Sequence, residues 1–154
     1  MNMTTMPYPV LLQQLEGLLS IETDPVANMA NMAAVLFNEI ENLNWAGFYV
    51  LRGNELVLGP FQGKPACVRI PLGKGVCGTA AKTAQTQRVA NVHEFAGHIA
   101  CDSASNSEIV IPILKEGRVW GVLDIDSPVL ARFGKEEQDF LEKAVALFTA
   151  KSAL

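Results

Sequence analysis

The sequence predicts an α+β domain in which two helices precede a mostly antiparallel sheet of about six strands and another helix follows it. Apolar residues recur at helical spacing near both ends of the chain, whereas the middle contains stretches that alternate apolar and polar residues with a period of two. Turn residues such as Gly53 and Gly117 separate the alternating stretches. Helices before and after such a sheet indicate the α+β class.

The chain has 154 residues, of which 49% are hydrophobic, so it is large enough for one domain with a core. We predict a single domain over 1–154, with N-terminal helices at about 9–42, the sheet and active-site loops at about 45–127 and a C-terminal helix at about 135–150. The formal net charge of −4 and the lack of a basic stripe argue against nucleic-acid binding. Residues 1–10 resemble no signal peptide and no stretch is long enough to span a membrane, so a cytoplasmic monomer or small oligomer is expected.

The two N-terminal helices are predicted from their apolar spacing. The first carries Leu11, Leu12, Leu15, Leu18 and Leu19. The second begins with Asp24 as N-cap and Pro25 at the first helical position. Its predicted apolar stripe is Val26, Met29, Ala33, Leu36, Phe37 and Ile40.

The remaining elements are predicted from alternation and turn residues. In chain order they are strands at 45–51 and 56–61, an extended piece at 66–70, a glycine-rich turn at 73–75, a short helix at 76–83, a strand at 88–91, an irregular segment at 92–106, strands at 108–114 and 118–126, and a last helix carrying Phe140, Leu141, Ala144, Leu147 and Phe148. The glycine-rich turn is not a phosphate loop, because Gly75 rather than Ser or Thr follows Lys74.

The hairpin around residue 115 predicts a cluster of carboxylates. Its apolar face holds Ile109, Ile111, Ile113, Val119, Gly121, Leu123 and Ile125, and Trp120, Val122, Asp124 and Asp126 alternate with them. A three-residue loop at 115–117 pairs Glu108 with Asp124 and leaves Asp126 two residues further along the same face, roughly 7 Å from Asp124. The alternative to a binding site is that these carboxylates lie on a solvent-exposed face of the sheet and bind nothing.

Aromatic residues favour a binding site over a solvated face. Alternation places Trp45 and Tyr49 on one face of the first strand, and a neighbouring hairpin would complete a cup of aromatic walls and acidic groups. Such a cup suits a small molecule that carries an ammonium group. Because crowded carboxylates repel one another, at least one should have a raised pKa and hold a proton near neutrality.

Three cysteines are present, an odd number that does not suit a secreted disulfide framework. They are either buried hydrophobic residues or redox groups. Cys77 lies in the first turn of the short helix, whose dipole favours a thiolate, so local physics ranks it above the loop residue Cys101 as nucleophile. Cys67, in the extended piece, is by itself typical of a small core residue. The spacing of the cysteines with His93 and His98 matches no structural zinc pattern, and no metal is expected.

Four segments together resemble the free methionine-(R)-sulfoxide reductases, a group of GAF-domain enzymes. They are 44–49 (Asn-Trp-Ala-Gly-Phe-Tyr), 73–78 (Gly-Lys-Gly-Val-Cys-Gly), 98–113 and 121–127. The three cysteines also fall at the intervals of that family, and the resemblance extends from about Asn44 to Phe148.

The resemblance implies a GAF-like fold and a role for each site residue. Cys101 matches the nucleophile, Cys67 the resolving cysteine and Cys77 a further cysteine of the site. The aromatic wall is matched by Trp45 and Tyr49, and the substrate-holding carboxylates by Glu108, Asp124 and Asp126.

The activity so implied is reduction of free methionine (R)-sulfoxide without a bound cofactor. The electrons would come from thioredoxin, itself supplied by NADPH through thioredoxin reductase. A homodimer is an alternative to a monomer, because the outer helices of GAF domains often pair. One alternative is a non-catalytic GAF sensor that binds a small amino-acid-like ligand in the same cup, and another is an interaction module whose thiols are core residues. His98 is expected to be a loop residue near the mouth of the cup.

Overall fold

A computed structural model describes residues 6–99 and 101–154. Its elements are α1 (Tyr8–Leu19), α2 (Pro25–Glu39), β1 (Trp45–Arg52), β2 (Glu55–Gly63), β3 (Arg69–Pro71), α3 (Gly75–Thr83), β4 (Gln87–Val89), a short 3-10 helix (Val92–Glu94), β5 (Ser107–Lys115), β6 (Arg118–Ser127) and α4 (Lys135–Lys151). The six strands form one sheet in the order β3-β2-β1-β6-β5-β4, and each neighbouring pair is antiparallel. The predicted α+β class is confirmed. Within the described ranges, none of the helices combines the length and apolar character that crossing a membrane requires.

The two faces of the sheet pack against different helices. One face carries Phe48, Ile109 and Leu123 and packs against α1, α2 and α4. The other carries Tyr49, Val110 and Val122 and packs against α3. This division follows from the alternation of side chains along each strand, and it gives each face its own apolar cluster.

Helix α2 begins as predicted, since the Asp24 carboxylate accepts hydrogen bonds from the backbone N–H groups of Val26 and Ala27. Its buried stripe is rotated from the prediction: Val26 is 60% exposed, Phe37 is only partly buried, and Asn28 and Met32 are buried instead. At 3.6 residues per turn, Val26 and Phe37 lie roughly 90° to 110° from the centre of the buried stripe. The buried Asn28 amide donates to the Glu22 carbonyl and to Ser152 Oγ, so a polar contact takes the inward position of the first turn.

The register of the β5–β6 hairpin differs from the prediction. The loop is a two-residue turn in which Glu116 and Gly117 have φ of 53° and 78°, closed by the pair Lys115 and Arg118. A bulge follows, and as a result Glu108 pairs with Asp126 rather than with Asp124, which lies opposite Val110. The shift amounts to two residues, so the three carboxylates still share one face of the sheet.

The bulge also moves two side chains to the faces opposite those predicted. Ile113 pairs with Gly121 and Leu114 with Val119, so Trp120 is the extra residue of β6. Trp120 consequently packs on the helical side, where its ring lies 5.8 Å from that of Phe148, and Val119 joins the cluster on the α3 side. Alternation alone could not predict this, because an inserted residue reverses the parity of the strand.

A close backbone approach requires a glycine at position 78, within α3. The Gly73 N–H donates to the Gly78 carbonyl at 2.8 Å, and a Cβ on Gly78 would lie 2.6 Å from the Pro71 carbonyl oxygen and 3.1 Å from the Gly73 nitrogen. Both neighbours are backbone atoms, which cannot move aside as the end of a side chain would. Gly78 therefore lets α3 sit close to the end of β3.

Gly78→Ala is expected to destabilise the protein by about 1–3 kcal/mol, because the methyl group must displace backbone. Gly17→Ala in α1 is the matched control: no heavy atom lies within 4 Å of its added Cβ, so the gain in helix propensity should stabilise the fold by roughly 0.5–1 kcal/mol. Denaturant midpoints of both variants measure the difference. Equal midpoints for the two variants would contradict the close approach at Gly78.

Candidate active site

The pocket lies on the α3 side of the sheet. Strand β1 is the neighbour of β6, with Trp45 opposite Asp126 and Tyr49 opposite Val122, so the aromatic pair and the carboxylates share a face. Seven of the eight site residues predicted from the sequence line this pocket: Trp45, Tyr49, Cys77, Cys101, Glu108, Asp124 and Asp126. The eighth, Cys67, is bonded to Cys101.

The three carboxyl side chains are withdrawn from water. Glu108, Asp124 and Asp126 are exposed by only 8%, 6% and 9%, and one oxygen each of Asp124 and Asp126 is buried without a hydrogen-bond partner. Burial raises the pKa of the Asp124 carboxyl well above its usual range, and the charges of Asp126 and Glu108 add to the effect. Burial and the charge of Glu108 likewise raise the pKa of Asp126. The pocket therefore favours the protonated forms of Asp124 and Asp126 and offers acceptors to a cationic ligand.

Cys77 is a buried thiol rather than the activated thiolate that its place in the helix suggests. Its Sγ lies 3.9 Å from Glu108 Oε2. Burial and the negative charge of Asp124 raise the pKa of the Cys77 thiol well above its ordinary value. Burial and the nearby carboxylates therefore oppose the thiolate that the helix dipole favours at Cys77, and the ranking of Cys77 over Cys101 stays a prediction.

Cys67 and Cys101 form a disulfide whose Cα atoms are 5.5 Å apart. Their proximity satisfies the geometric condition for a resolving pair, since disulfides span about 4.4–6.8 Å between Cα atoms. The extended piece predicted at 66–70 is a strand only from Arg69, so Cys67 lies in an irregular segment rather than in a strand. Instead of pairing along a strand, the Cys67 carbonyl accepts a hydrogen bond from the Tyr49 hydroxyl at 2.8 Å.

The loop that carries Cys101 is held by residues that the sequence analysis missed. The Asn44 amide donates to Asp102 Oδ2 at 3.0 Å and to Ser105 Oγ at 2.9 Å. Asp102 also accepts from the Ala104 N–H, a contact that Asp commonly makes in turns, and this bond is the main cause of its lowered pKa. Asn44 is the first residue of the segment 44–49, but no local pattern predicts its contact with a loop almost 60 residues away.

Two nitrogen-bearing side chains lie at the rim of the pocket. Exposed Lys74, which precedes the first residue of α3, and half-buried His98 both line the pocket. His98 is thus near the mouth, as expected. The sequence places Lys74 in the glycine-rich turn and predicts no role in the site for it.

One group of side chains has the geometry of a metal site. Ligand atoms of Cys77, Glu108 and Asp124 lie within 4.8 Å of one another. A cation would have to displace the proton of a thiol whose pKa is raised by burial, which weakens the sulfur as a ligand. The sequence analysis expected no metal, and the donor set by itself does not change that expectation.

Asp124→Asn is expected to stabilise the fold at neutral pH by about 1 kcal/mol or more while it damages the site. The folded-state pKa of Asp124 is raised, so the folded protein binds this proton more tightly than the unfolded chain. Stability is thus highest below the unfolded-state pKa and falls as the pH rises through the raised folded-state pKa. Asparagine does not titrate, so the gain should be large at pH 7–8 and small near pH 4.

Thermal unfolding between pH 4 and pH 8 measures this prediction. Asp139→Asn makes the same chemical change at an exposed site on α4 and should shift the midpoint little at any pH. A pH-independent shift for Asp124→Asn would contradict the assigned burial cost.

Comparison with known proteins places this fold and site in a class. The family model for the GAF domain matches residues 14–152, so the chain is a GAF domain. It is 52% identical over 139 residues to the free methionine-R-sulfoxide reductase of Escherichia coli, covering 90% of this chain and 84% of that protein. It is 46% identical over 145 residues to the enzyme of the same name from Saccharomyces cerevisiae, covering 89% and 81%. The structure of free methionine-R-sulfoxide reductase from Neisseria meningitidis in complex with its substrate has a TM-score of 0.91, is 44% identical, and covers 94% of this chain and 87% of that one. The chain belongs to the family of free methionine-R-sulfoxide reductases.

Proposed function

We propose that this protein reduces free methionine (R)-sulfoxide to methionine, with Cys101 as nucleophile and Cys67 as resolving cysteine. The observation that carries the proposal is the Cys67–Cys101 disulfide, whose Cys101 lines the same pocket as three buried carboxyl groups. Two relatives bear the name of this activity, and a solved relative is described in complex with its substrate.

The charges of the pocket complement a free amino acid. The unpartnered oxygens of Asp124 and Asp126 suit the substrate ammonium, and Lys74 at the rim suits its carboxylate. Trp45 supplies the apolar wall, and its ring is backed by that of Phe61 at 5.2 Å. A methionine sulfoxide within a protein has no ammonium at this position, so it would leave buried acidic groups unpaired.

The first chemical step transfers the oxygen atom from the sulfur of the substrate to the sulfur of Cys101. The Cys101 thiolate attacks the sulfoxide sulfur, and a protonated carboxyl, Glu108 or Asp126, donates a proton to the departing oxygen. Methionine leaves, reduced by two electrons, and Cys101 is oxidised to the sulfenic acid. The buried thiol of Cys77 keeps its proton and contacts Glu108.

The second step and the recycling use Cys67. Its thiol condenses with the sulfenic acid, releasing water and forming the disulfide. A dithiol partner, thioredoxin, then reduces the disulfide by exchange, and its electrons come from NADPH through thioredoxin reductase. A reducing compartment such as the cytoplasm would sustain this cycle.

The pocket is small in the structure with the disulfide formed. The cavity measures about 40 Å³ with the disulfide formed. This volume holds a few water molecules at most. Methionine should therefore leave before the disulfide closes, and reduction should reopen the pocket.

The test incubates the protein with each epimer of free methionine sulfoxide and a thioredoxin system while NADPH oxidation is followed. We expect turnover of the (R) epimer alone, and none of N-acetylmethionine (R)-sulfoxide, which lacks the ammonium. Calorimetry with the same compounds distinguishes the sensor alternative. Binding without turnover of either epimer would favour a GAF sensor over a reductase.

A further inference from the structure

We propose that the Tyr49 hydroxyl is a positioning group for Cys67, which holds that thiol within reach of Cys101 in the second step of the cycle. The inference rests on the proposed function and deepens it. It separates the hydroxyl of Tyr49 from the ring of Tyr49, which belongs to the pocket wall.

The segment that carries Cys67, residues 64–68, has no regular secondary structure, and besides the disulfide three hydrogen bonds from other described residues attach it. The Trp45 indole N–H donates to the Lys64 carbonyl at 3.0 Å, and the Leu58 N–H donates to the Val68 carbonyl at 2.9 Å. Between these two ends, the Tyr49 hydroxyl donates to the carbonyl of Cys67 itself at 2.8 Å. The Tyr49 bond is thus the attachment at the reacting residue.

Both side-chain donors come from β1 and are themselves held firmly. Trp45 and Tyr49 are each only 2% exposed, and their rings stack with centroids 6.0 Å apart. Burial and the neighbouring acidic charges raise the pKa of the Tyr49 hydroxyl, which keeps it protonated and able to donate. The hydrogen bond therefore joins a rigid strand to an irregular segment.

The opposite side of the disulfide has its own attachment. The loop of Cys101 is held by Asn44, which precedes β1 and contacts Asp102 and Ser105. Loss of the Tyr49 hydroxyl therefore loosens Cys67 and leaves these contacts of the Cys101 loop in place. Because a disulfide tolerates only a narrow range of Cα separations and a displacement of about 1 Å can cost 10²-fold in rate, the effect should fall on disulfide formation.

The experiment is a single turnover of reduced Tyr49→Phe with one equivalent of methionine (R)-sulfoxide and no reductant. Methionine release reports the first step, and loss of titratable thiols reports the second. We expect the rate of disulfide formation, divided by the rate of methionine formation, to fall about tenfold or more relative to the wild type. The sulfenic acid of Cys101 should accumulate and become accessible to a sulfenic-acid trapping reagent.

Tyr8→Phe is the matched control. It removes another buried tyrosine hydroxyl, which donates to Glu137 Oε2 at 2.8 Å on the helical side of the sheet, and should leave the ratio of the two rates unchanged. Replacement of Tyr49 by 4-aminophenylalanine restores a donor at the same place and should return the ratio to within twofold of the wild type. Trp45→Phe removes the hydrogen bond to the carbonyl of Lys64, which lies three residues before Cys67. This variant should lower the ratio by a smaller factor than Tyr49→Phe does.

The outcomes separate this inference from the proposed function. If the wild type forms no methionine from either epimer, the proposed function fails. The positioning role of the hydroxyl is overturned if the wild type forms methionine and Tyr49→Phe slows both steps equally. It is also overturned if Tyr49→Phe slows neither step. A larger effect of Trp45→Phe than of Tyr49→Phe on the ratio would likewise contradict an attachment centred on Cys67.

Discussion

Cys101→Ser is expected to lower the reduction of free methionine (R)-sulfoxide by at least about 10³-fold, because in the proposed cycle it removes the atom that receives the oxygen. A serine hydroxyl is not ionised near neutral pH and cannot be oxidised to a sulfenic acid. Release of methionine in a single turnover, measured by chromatography, is the direct test. It reports the first step without dependence on thioredoxin.

Serine substitutions at the other two cysteines are the matched comparisons. Cys67→Ser should release about one equivalent of methionine and then stop in the thioredoxin assay, because no thiol remains to resolve the sulfenic acid at Cys101. Cys77→Ser should lose far less of the first turnover than Cys101→Ser, because the Cys77 thiol is buried and protonated. If only Cys77→Ser stops the first turnover, Cys101 is not the nucleophile.

Asp126→Asn is expected to lower the rate of the first turnover by about 10²–10⁴-fold. Its pKa is raised by burial and by the charge of Glu108, so this carboxyl can hold the proton that the departing oxygen requires. Asparagine keeps the size of the side chain but has no acidic proton to give. Rapid-quench measurement of methionine formation at saturating substrate separates this loss from weaker binding.

The pH dependence gives a second measure of the same role. In the wild type the rate of the first step should fall as the pH rises through the raised pKa of the donor, because the ionised carboxylate has no proton. In Asp126→Asn that fall should disappear, whereas exposed Asp139→Asn should keep the wild-type profile. An unchanged alkaline limb in Asp126→Asn would move the donor role to Glu108.

The sequence analysis succeeded where local patterns decide the structure. Alternation placed Trp45 and Tyr49 on one face and the carboxylates on one face, and the N-cap at Asp24 was assigned from a local preference for Asp before a proline. It failed at the β6 bulge, where Trp120 and Val119 exchange faces, because no local signal marks an inserted residue. The predicted pairing of Glu108 was wrong by two residues, one from the bulge and one from the turn, which has two residues rather than three.

The cysteines show where sequence reasoning from local structure ends. Residues near a helix N-terminus gain about 0.3–1 kcal/mol from the dipole, whereas full burial can shift a pKa by 3–5 units, each worth about 1.4 kcal/mol. Only the tertiary structure shows that Cys77 is buried beside Glu108 and Asp124, so only it decides that this thiol stays protonated.

By itself, the sequence determined the order of the helices and strands, the face of the sheet that bears the carboxylates and, through resemblance, the family. The tertiary structure decided which groups meet. It brings Cys67 within 5.5 Å of Cys101 between Cα atoms, although 34 residues separate them, and it ties their two segments to β1 through Tyr49 and Asn44. Such contacts depend on how distant segments pack, and the spacing of residues along the chain carries no record of that packing.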